Sequence, residues 1–170
     1  SSLAQAQRIA RLGNWIWDPQ EDCVVWSAEV HRLLGVPDAV RTAPMATFLD
    51  RVHRDDQAAV RAALDEVLAG SPSFALDLRF AKQGGQTRVL HAQGEAVYDD
   101  LRRATRVMGT LQDITERTAA ENRIKFLAYY DSLTNLPNRV LFTERLRGML
   151  ATARRRNHIV ATVFVDLEGQ

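Results

Sequence analysis

The chain is poor in cysteine, with Cys23 as the single thiol among 170 residues. One cysteine excludes an internal disulfide and any metal site built from several thiolates, which fits a reducing compartment. No apolar run approaches the roughly 18 residues needed to cross a bilayer, and the opening stretch SSLAQAQRIARLG lacks the apolar core of a signal peptide. We therefore expect a cytoplasmic protein with no membrane segment in this sequence.

The net charge is also small, because 22 Lys and Arg residues nearly balance 21 Asp and Glu residues. The densest basic run, Arg154 to Arg156, is short and has no aromatic residues between its arginines. Both observations argue against a nucleic-acid partner. A composition of 46% hydrophobic and 25% charged residues is that of an ordinary globular protein. The length allows one full domain and part of another.

The first part of the chain predicts a lead-in helix and a hairpin. Apolar residues at helical spacing indicate an amphipathic helix over residues 1–12 that Gly13 ends. Two β-rich runs, NWIWD and CVVWS, are joined by the turn residues Pro19 to Asp22. The apolar positions of the helix are Leu3, Ala6, Ile9 and Ala10.

Three helices are predicted next: one that begins after Ser27, a second short one at the start of TFLDRVHRDDQAAVRAALDEVLAG, and a longer one within that segment. Ser27 is placed to cap the first helix, and Gly35 follows its end. Asp55 or Asp56 is placed to cap a longer helix that Gly70 closes. One face of that helix carries an apolar stripe of Val60, Leu64, Val67 and Leu68.

After Pro72 the apolar period changes from helical to alternating, which indicates strands. Leu78 and Phe80 point to one side of the first strand, and Asp77 and Arg79 point to the other. Two further β-rich runs, TRVLHAQGEAVYD and TRVMGTLQDIT, complete a three-stranded meander. Five strands with short helices after the second predict an α+β fold, with an antiparallel sheet covered by helices on one face.

The segments LAQAQRIARLGNWIWD, VVWSAEVHRLLGVP, FLDRVHRDDQAAV and GTLQDITER occur in this order, with the long hairpin before the last. Together they resemble a PAS sensor domain with its PAC part, over residues 3–117. The resemblance implies a sensor domain at residues 13–115 with the PAS fold, a five-stranded antiparallel sheet in the order 2-1-5-4-3. It also implies a small-molecule cavity between the helices and the sheet, for a ligand that the sequence does not identify.

Residues 116–130 are expected to form a connector helix that follows the last strand directly. Asp113 and Glu116 have the spacing of a capping box, and Thr115 lies between them. Ala120, Ile124 and Leu127 follow at spacings of four and three, a seam suited to pairing with a second copy. Two interpretations stay open: a helix packed on its own domain, or a signalling helix through which a homodimer forms.

The stretch DSLTNLPNR resembles the start of diguanylate cyclase (GGDEF-type) domains, which would then begin at residue 131 and run to residue 170. Pro137 suits the first turn of a new helix, and Asp131 and Arg139 could pair across the turn. The following segment, VLFTERLRGMLATARRR, predicts that helix. The residues that match the family's pattern are Asp131, Leu133, Thr134, Leu136, Pro137, Asn138 and Arg139.

HIVATVFVDL reads as a strand buried on both faces. In the resembled family this strand ends in D-L-D-x-F-K, so Asp166 and the backbone carbonyl of Leu167 would hold magnesium for GTP. Glu168 and Gln170 depart from that pattern, and the G-G-[DE]-E-F motif does not occur in this sequence. Gly84 and Gly85 read as a hairpin turn and do not replace it. We expect this fragment to have no catalytic residues and no cyclase activity of its own.

Other candidate sites are weaker. His31, His53, His91 and His158 stand alone in sequence, without metal-ligand spacing, so haem or metal binding by them is not favoured. His91 alternates with Val89, Gln93 and Glu95, which favours an exposed strand face. Cys23 lacks the surrounding motif of flavin-cysteine photosensors. The three tryptophans, Trp15, Trp17 and Trp26, could stack a flavin or an aromatic metabolite, although core packing explains them as well.

Three functions stay open at this stage. The first is a PAS sensory module that controls cyclic di-GMP synthesis from GTP and magnesium in a longer parent protein. The second is a ligand-free module that only dimerises or docks neighbouring domains. The third is input to a degenerate cyclase coupled to a cyclic di-GMP phosphodiesterase, toward which Glu168 and Gln170 lean.

Overall fold

A computed structural model describes Gln5 and residues 9–37, 42–81 and 85–165 of the chain. It divides into two compact units, Ser1–Thr118 and Ala119–Gln170. In the described residues, no helix combines the length and the hydropathy that crossing a bilayer requires.

The first unit is built on one antiparallel sheet of six strands, in the order β3-β2-β1-β6-β5-β4. The α+β class and the strand order predicted from the sequence are confirmed. The sixth strand is an addition at the edge, where two residues pair with β2, and two residues are too few to show an alternating pattern. The strands are β1 Leu12–Asp18, β2 Cys23–Trp26, β3 Thr42–Ala43, β4 Ser73–Ala81, β5 Thr87–Tyr98 and β6 Ala104–Asp113.

The chain enters the sheet through a left-handed residue, Arg11, with φ of 50°. Gly13 was expected to end the preceding helix, but it lies inside β1 because the chain has already turned at Arg11. Gln5 and Ile9 are helical, whereas Leu3 and Ala6 lie outside the described residues. The expected hairpin of β1 and β2 is present, and Asp18 Oδ1 accepts hydrogen bonds from the amides of Gln20 and Glu21 in its turn.

Three helices lie between β2 and β4: α1 Ala28–Leu34, α2 Met45–Leu49 and α3 Arg54–Leu68. Ser27 caps α1 as predicted, and Gly35 ends it with φ of 66°. The predicted cap of α3 is wrong, because His53 Nδ1 accepts the amide of Asp55 and occupies the capping position. Asp56 is instead bound by Arg79 of β4, whose Nε and Nη2 donate to its carboxylate at 3.0 and 2.8 Å.

The core lies between these helices and one face of the sheet. From the helices it takes Val30, Leu34, Val60, Leu64 and Val67, so three of the four predicted stripe residues are buried. The fourth, Leu68, is 44% exposed. From the sheet the core takes Trp15, Trp17, Val24, Trp26, Leu78, Phe80, Leu90, Ala92, Val107 and Leu111.

Two glycines make room for the indole ring of Trp15. A Cβ atom at Gly109 would lie 2.5 Å from Trp15 Cζ2, and one at Gly94 would lie 2.9 Å from Trp15 Cη2. Any side chain at these two neighbouring positions of β5 and β6 would collide with the ring. The absence of side chains there therefore leaves the space that the Trp15 ring occupies.

Two helices follow the sheet, α4 Thr115–Tyr129 and α5 Arg139–Arg156. The expected buried strand at HIVATVFVDL is wrong for its described part, since residues 158–165 form no strand. Ile159 is 97% exposed and Phe164 is 89% exposed. A strand needs a partner for its backbone groups, and in the part of the chain that the structure describes every strand pair lies within residues 12–113.

Candidate functional site

A cavity of about 40 Å³ lies between the sheet and all three helices of the first unit. Every side chain that lines it is apolar. Trp15 and Trp26 contribute to its wall, whereas Trp17 is buried elsewhere in the core. The cavity is lined by Trp15, Val24, Trp26, Val30, Met45, Phe48, Val60, Leu64, Phe74, Leu76, Leu78, Ala92 and Leu111.

None of the four histidines is among the residues that line the cavity. His31 is buried on α1, where its ring meets Trp26 edge to face at 5.6 Å. His53 caps α3, and His91 lies on the outer face of the sheet with its Nδ1 atom 2.6 Å from Asp77 Oδ1. His158 is exposed. Cys23 is half-buried, and the described residues contain no cluster of three or more His, Cys, Asp or Glu side chains able to hold a metal ion.

The second candidate site is the junction between β6 and α4, centred on the carboxylate of Asp113. This side chain is only 1% exposed and forms an ion pair with Arg88 of β5. Its Oδ1 atom also accepts hydrogen bonds from the backbone N–H of Thr115 at 3.0 Å and from the Thr115 hydroxyl at 2.5 Å. Burial alone would raise the pKa of Asp113, but the hydrogen bonds from Thr115 and the charge of Arg88 outweigh it and hold the pKa below its usual value.

The first residues after β6 are also bonded to β5. Ile114 N donates to the carbonyl oxygen of Val89 at 2.9 Å, and Val89 N donates to Thr115 Oγ1 at 3.0 Å. The start of α4 is therefore joined to two strands: it follows β6 directly in the chain, and it is hydrogen-bonded to β5.

Only half of the predicted capping box forms. Asp113 does accept the amide of Thr115, but its own backbone N–H donates to the carbonyl oxygen of Arg11 at 3.3 Å. Glu116 does not reach back to that amide and instead pairs with the Arg11 guanidinium at 2.9 Å. The sequence pattern does not place Arg11 or Arg88 at this junction, because only the pairing of β1 and β5 with β6 brings them there.

The connector helix α4 buries none of its side chains in this chain. Ile124 is 68% exposed and Leu127 is 49% exposed, and both belong to the seam identified in the sequence. Exposed apolar residues in a row along a helix leave the pairing interpretation open.

The DSLTNLPNR stretch forms the turn between α4 and α5. Asp131 Oδ1 accepts hydrogen bonds from the amides of Leu133 and Thr134, at 3.0 and 2.9 Å, and from the Thr134 hydroxyl at 3.0 Å. The backbone and side-chain hydrogen bonds from Thr134, followed by that from Leu133, lower the pKa of Asp131. The expected pair of Asp131 with Arg139 does not form, because this carboxylate is turned toward its own loop.

Asn138 joins the two helices of the turn. Its side-chain Oδ1 caps α5 by accepting the amides of Val140 and Leu141, at 3.0 and 3.1 Å. Its Nδ2 donates to the carbonyl oxygen of Ala128, in the last turn of α4, at 2.9 Å. Pro137 was expected inside the first turn of α5, but it precedes this cap and forms a bridge with Tyr130. The predicted metal ligands Asp166 and Leu167 lie outside the described residues.

Comparison with protein families gives two matches in chain order. A family model described as PAS fold matches residues 24–111, more than half of the chain. A family model described as diguanylate cyclase, GGDEF domain, matches residues 128–169.

Two curated relatives match stretches of different length. A blue-light-activated histidine kinase of Brucella ovis is 29% identical over 114 residues, covering 66% of this chain and 22% of the kinase. An uncharacterized protein of Synechocystis is 40% identical over 53 residues, covering 31% of this chain and 8% of that protein. The chain thus spans less than a quarter of the length of either relative.

Solved structures share the fold. A sensory box histidine kinase/response regulator from Burkholderia thailandensis superposes with a TM-score of 0.63 at 23% identity, covering 74% of this chain and 93% of that one. The N-terminal domain of a diguanylate cyclase with PAS/PAC sensor from Marinobacter aquaeolei gives a TM-score of 0.57 at 19% identity, covering 63% and 98%.

Proposed function

The chain belongs to the PAS-fold family and continues into a fragment of a GGDEF domain, and from this premise we propose that it is the sensory module of a diguanylate cyclase. The observation that carries the proposal is the junction at Asp113. One buried carboxylate there contacts β5, through Arg88, and the first turn of α4, through Thr115. A change in the sheet would therefore reach the helix that leads to the cyclase fragment. We expect the module to work in the cytoplasm.

The proposed output is the condensation of two GTP molecules to cyclic di-GMP. In the family that the fragment resembles, two cyclase domains meet, each with one GTP. The 3′-hydroxyl of each nucleotide attacks the α-phosphate of the other, so two phosphodiester bonds form and two pyrophosphates leave. The resemblance gives Asp166 and the Leu167 carbonyl the role of magnesium ligands, and oxygen donors of this kind suit that ion. Magnesium would neutralise charge that develops on the phosphates.

Dimerisation is part of the proposed mechanism because neither cyclase domain completes the reaction alone. We assign the pairing to the exposed seam of α4, made of Ala120, Ile124 and Leu127. Signal transmission would then run from Asp113, Thr115 and Glu116 along α4 to this seam. The exposure of Ile124 and Leu127 in the single chain supports the assignment, since pairing would cover both side chains.

The pairing can be tested with native mass spectrometry of the chain. The expected result is a homodimer that Ile124→Lys converts to a monomer, because a charge in a paired apolar seam is costly. Asn122→Lys is the matched control, since it adds the same charge to the same helix at an exposed position off the seam. A monomeric wild-type chain, or equal effects of both variants, would contradict pairing through α4.

A second candidate is input to a degenerate cyclase coupled to a cyclic di-GMP phosphodiesterase. The departures at Glu168 and Gln170 favour it, since they fall where the resembled family carries aspartate and phenylalanine. Incubation of the intact parent protein with GTP and magnesium separates the two candidates. Formation of cyclic di-GMP supports the first, and hydrolysis of added cyclic di-GMP without synthesis supports the second.

A further inference from the structure

The wall of this cavity offers no charge and almost no hydrogen-bonding group. All of its side chains are apolar, and the two that carry a polar atom do so in the indole rings of Trp15 and Trp26. Two buried polar atoms of the domain lack a partner in the described structure, Trp17 Nε1 and His31 Nδ1, and neither residue lines the cavity. A ligand in this cavity would therefore give up its hydrogen bonds to water without replacement.

That loss selects strongly against polar ligands. Moving a hydroxyl or amide from water to an apolar site without a new hydrogen bond is unfavourable, and burying an unpaired charge is far more so. A ligand with no polar group avoids this cost. The sulfur of Met45 and the rings of Phe48 and Phe74 are polarizable neighbours for such a molecule.

The size of the cavity sets the second limit. A volume of about 40 Å³ is room for about three water-sized bodies, since a single water occupies at least about 10 to 15 Å³ on the same measure. Pockets for drug-sized ligands and cofactors run from about 300 to 1,000 Å³. The isoalloxazine ring of a flavin and the porphyrin of a haem both exceed the space between these helices and the sheet.

We propose that this cavity binds a small, uncharged, apolar molecule, in the size range of a diatomic gas or a fragment of two or three carbon atoms. If the proposed function is correct, this molecule is the signal that the sensor detects, and only that step of the inference rests on the proposed function. Binding itself depends on the cavity alone.

The position of the cavity connects it to the junction. Leu111 forms part of the wall on β6, and Asp113 follows it two residues later on the same face of that strand. On β5 the wall residue Ala92 pairs with Leu111, and Leu90 pairs with Asp113. A molecule that pushes on the wall would therefore act on the strand pair that holds the Asp113 carboxylate.

Xenon is a suitable probe because it is apolar, uncharged and small. We would label the methyl groups of the chain with ¹³C and record their spectra at increasing xenon pressure. The expected result is a saturable shift of the methyl signals of Val30, Leu64, Leu78 and Leu111, while those of the exposed residues Val97 and Leu101 stay in place. No shift, or an equal linear shift of all methyl groups, would overturn the proposal.

Cavity-filling variants test whether the shifts arise at this site. Ala92→Val and Leu64→Phe both add carbon atoms at the wall, and each is expected to weaken the xenon response at least tenfold. Leu68→Phe makes the same change as Leu64→Phe one turn further along α3, on an exposed side chain, and is expected to keep the response. Dispersed methyl spectra identify the variants that are folded. Because the two cavity-filling substitutions differ in size, one can be tested if the other fails to fold. An undiminished response in a folded filler would overturn the assignment.

A native mass spectrum and an absorption spectrum of the purified chain test the size limit separately. A flavin or haem retained in stoichiometric amount would overturn the proposal, whereas a bare chain that responds to xenon supports it. Neither result depends on cyclase activity or on pairing of α4. Failure of this inference is therefore distinguishable from failure of the proposed function.

Discussion

At the scale of single residues, Asp113 is the side chain on which the proposed signal transmission depends. Its carboxylate is buried, ionised and shared between Arg88 and Thr115, so the strand, its neighbour and the following helix meet at one side chain. Removing any one of these donors leaves the buried charge less well compensated, which destabilises the fold.

Asp113→Asn keeps the shape of the side chain and removes its charge. We expect it to lower the free energy of unfolding by about 1 to 3 kcal/mol, because Arg88 loses its counter-ion. Urea unfolding of the two proteins measures the difference. Thr115→Ser is the control, because it keeps the hydroxyl that donates to Asp113. We expect it to change the free energy of unfolding much less. Equal stability of the Asp113→Asn variant and the wild type would show that the ion pair with Arg88 contributes nothing.

Asp56 predicts how stability depends on pH. The hydrogen bonds from Arg79 lower the pKa of Asp56 to about 2 in the folded protein, below its ordinary value of 3.8. A depressed folded-state pKa contributes stability above the unfolded-state pKa, and this stability is lost as pH falls from about 4 through 2. Thermal unfolding between pH 5 and pH 2 should therefore show a steeper fall in midpoint for the wild type than for Asp56→Asn. Parallel curves would rule out this contribution.

The same residues show the limits of local pattern. The sequence HRDD offers several side chains that can cap a helix, and its pattern predicted Asp55 or Asp56 as the cap. Arg79, on a strand more than 20 residues away, binds Asp56 and leaves the capping position to His53. The contact of Arg88 with Asp113 is unpredictable for the same reason, since it depends on the register of β5 against β6.

At the scale of elements, the turn between α4 and α5 gives a clear test. Asn138 contributes one acceptor to the start of α5 and one donor to the end of α4. Its conformation therefore joins two helices that the sequence predicted separately.

Asn138→Ala should remove both contacts. We expect a loss of about 1 kcal/mol at the cap, seen as faster hydrogen exchange at the amides of Val140 and Leu141. Asn138→Asp keeps the acceptor but not the donor, so it should protect these two amides. Unchanged exchange in Asn138→Ala would mean that the cap does not stabilise the first turn of α5.

Elements were predicted well where their pattern is local and less well where they need a partner. The apolar alternation of β4 to β6 and the stripe of α3 indicated their structures directly. Residues 158–165 carry an equally strong β pattern and form no strand. The pattern shows that these residues are suited to a buried strand, but such a strand needs a neighbouring strand to pair with. The described part of the chain contains no such neighbour for residues 158–165.

At the scale of the whole molecule, the order of parts is the central observation. A PAS domain, a helix with an exposed seam and a GGDEF fragment follow one another along the chain. The sequence predicted this order from motifs. It could not predict the volume of the cavity, because that depends on how the rings of Trp15, Trp26, Phe48 and Phe74 pack.

The intact protein allows the junction and the α4 seam to be tested together. If the sensor controls the cyclase through the junction and the α4 seam, Asp113→Asn should change the rate of cyclic di-GMP formation severalfold, and Ile124→Lys should abolish it. Asn122→Lys should leave the rate near that of the wild type.

The most direct measurement is therefore the amount of cyclic di-GMP formed from GTP and magnesium by the intact protein and these three variants. The account predicts synthesis by the wild type, an altered rate in Asp113→Asn and no product from Ile124→Lys. Wild-type protein that forms no cyclic di-GMP would contradict the cyclase assignment, and equal rates in all four proteins would contradict control through Asp113 and α4.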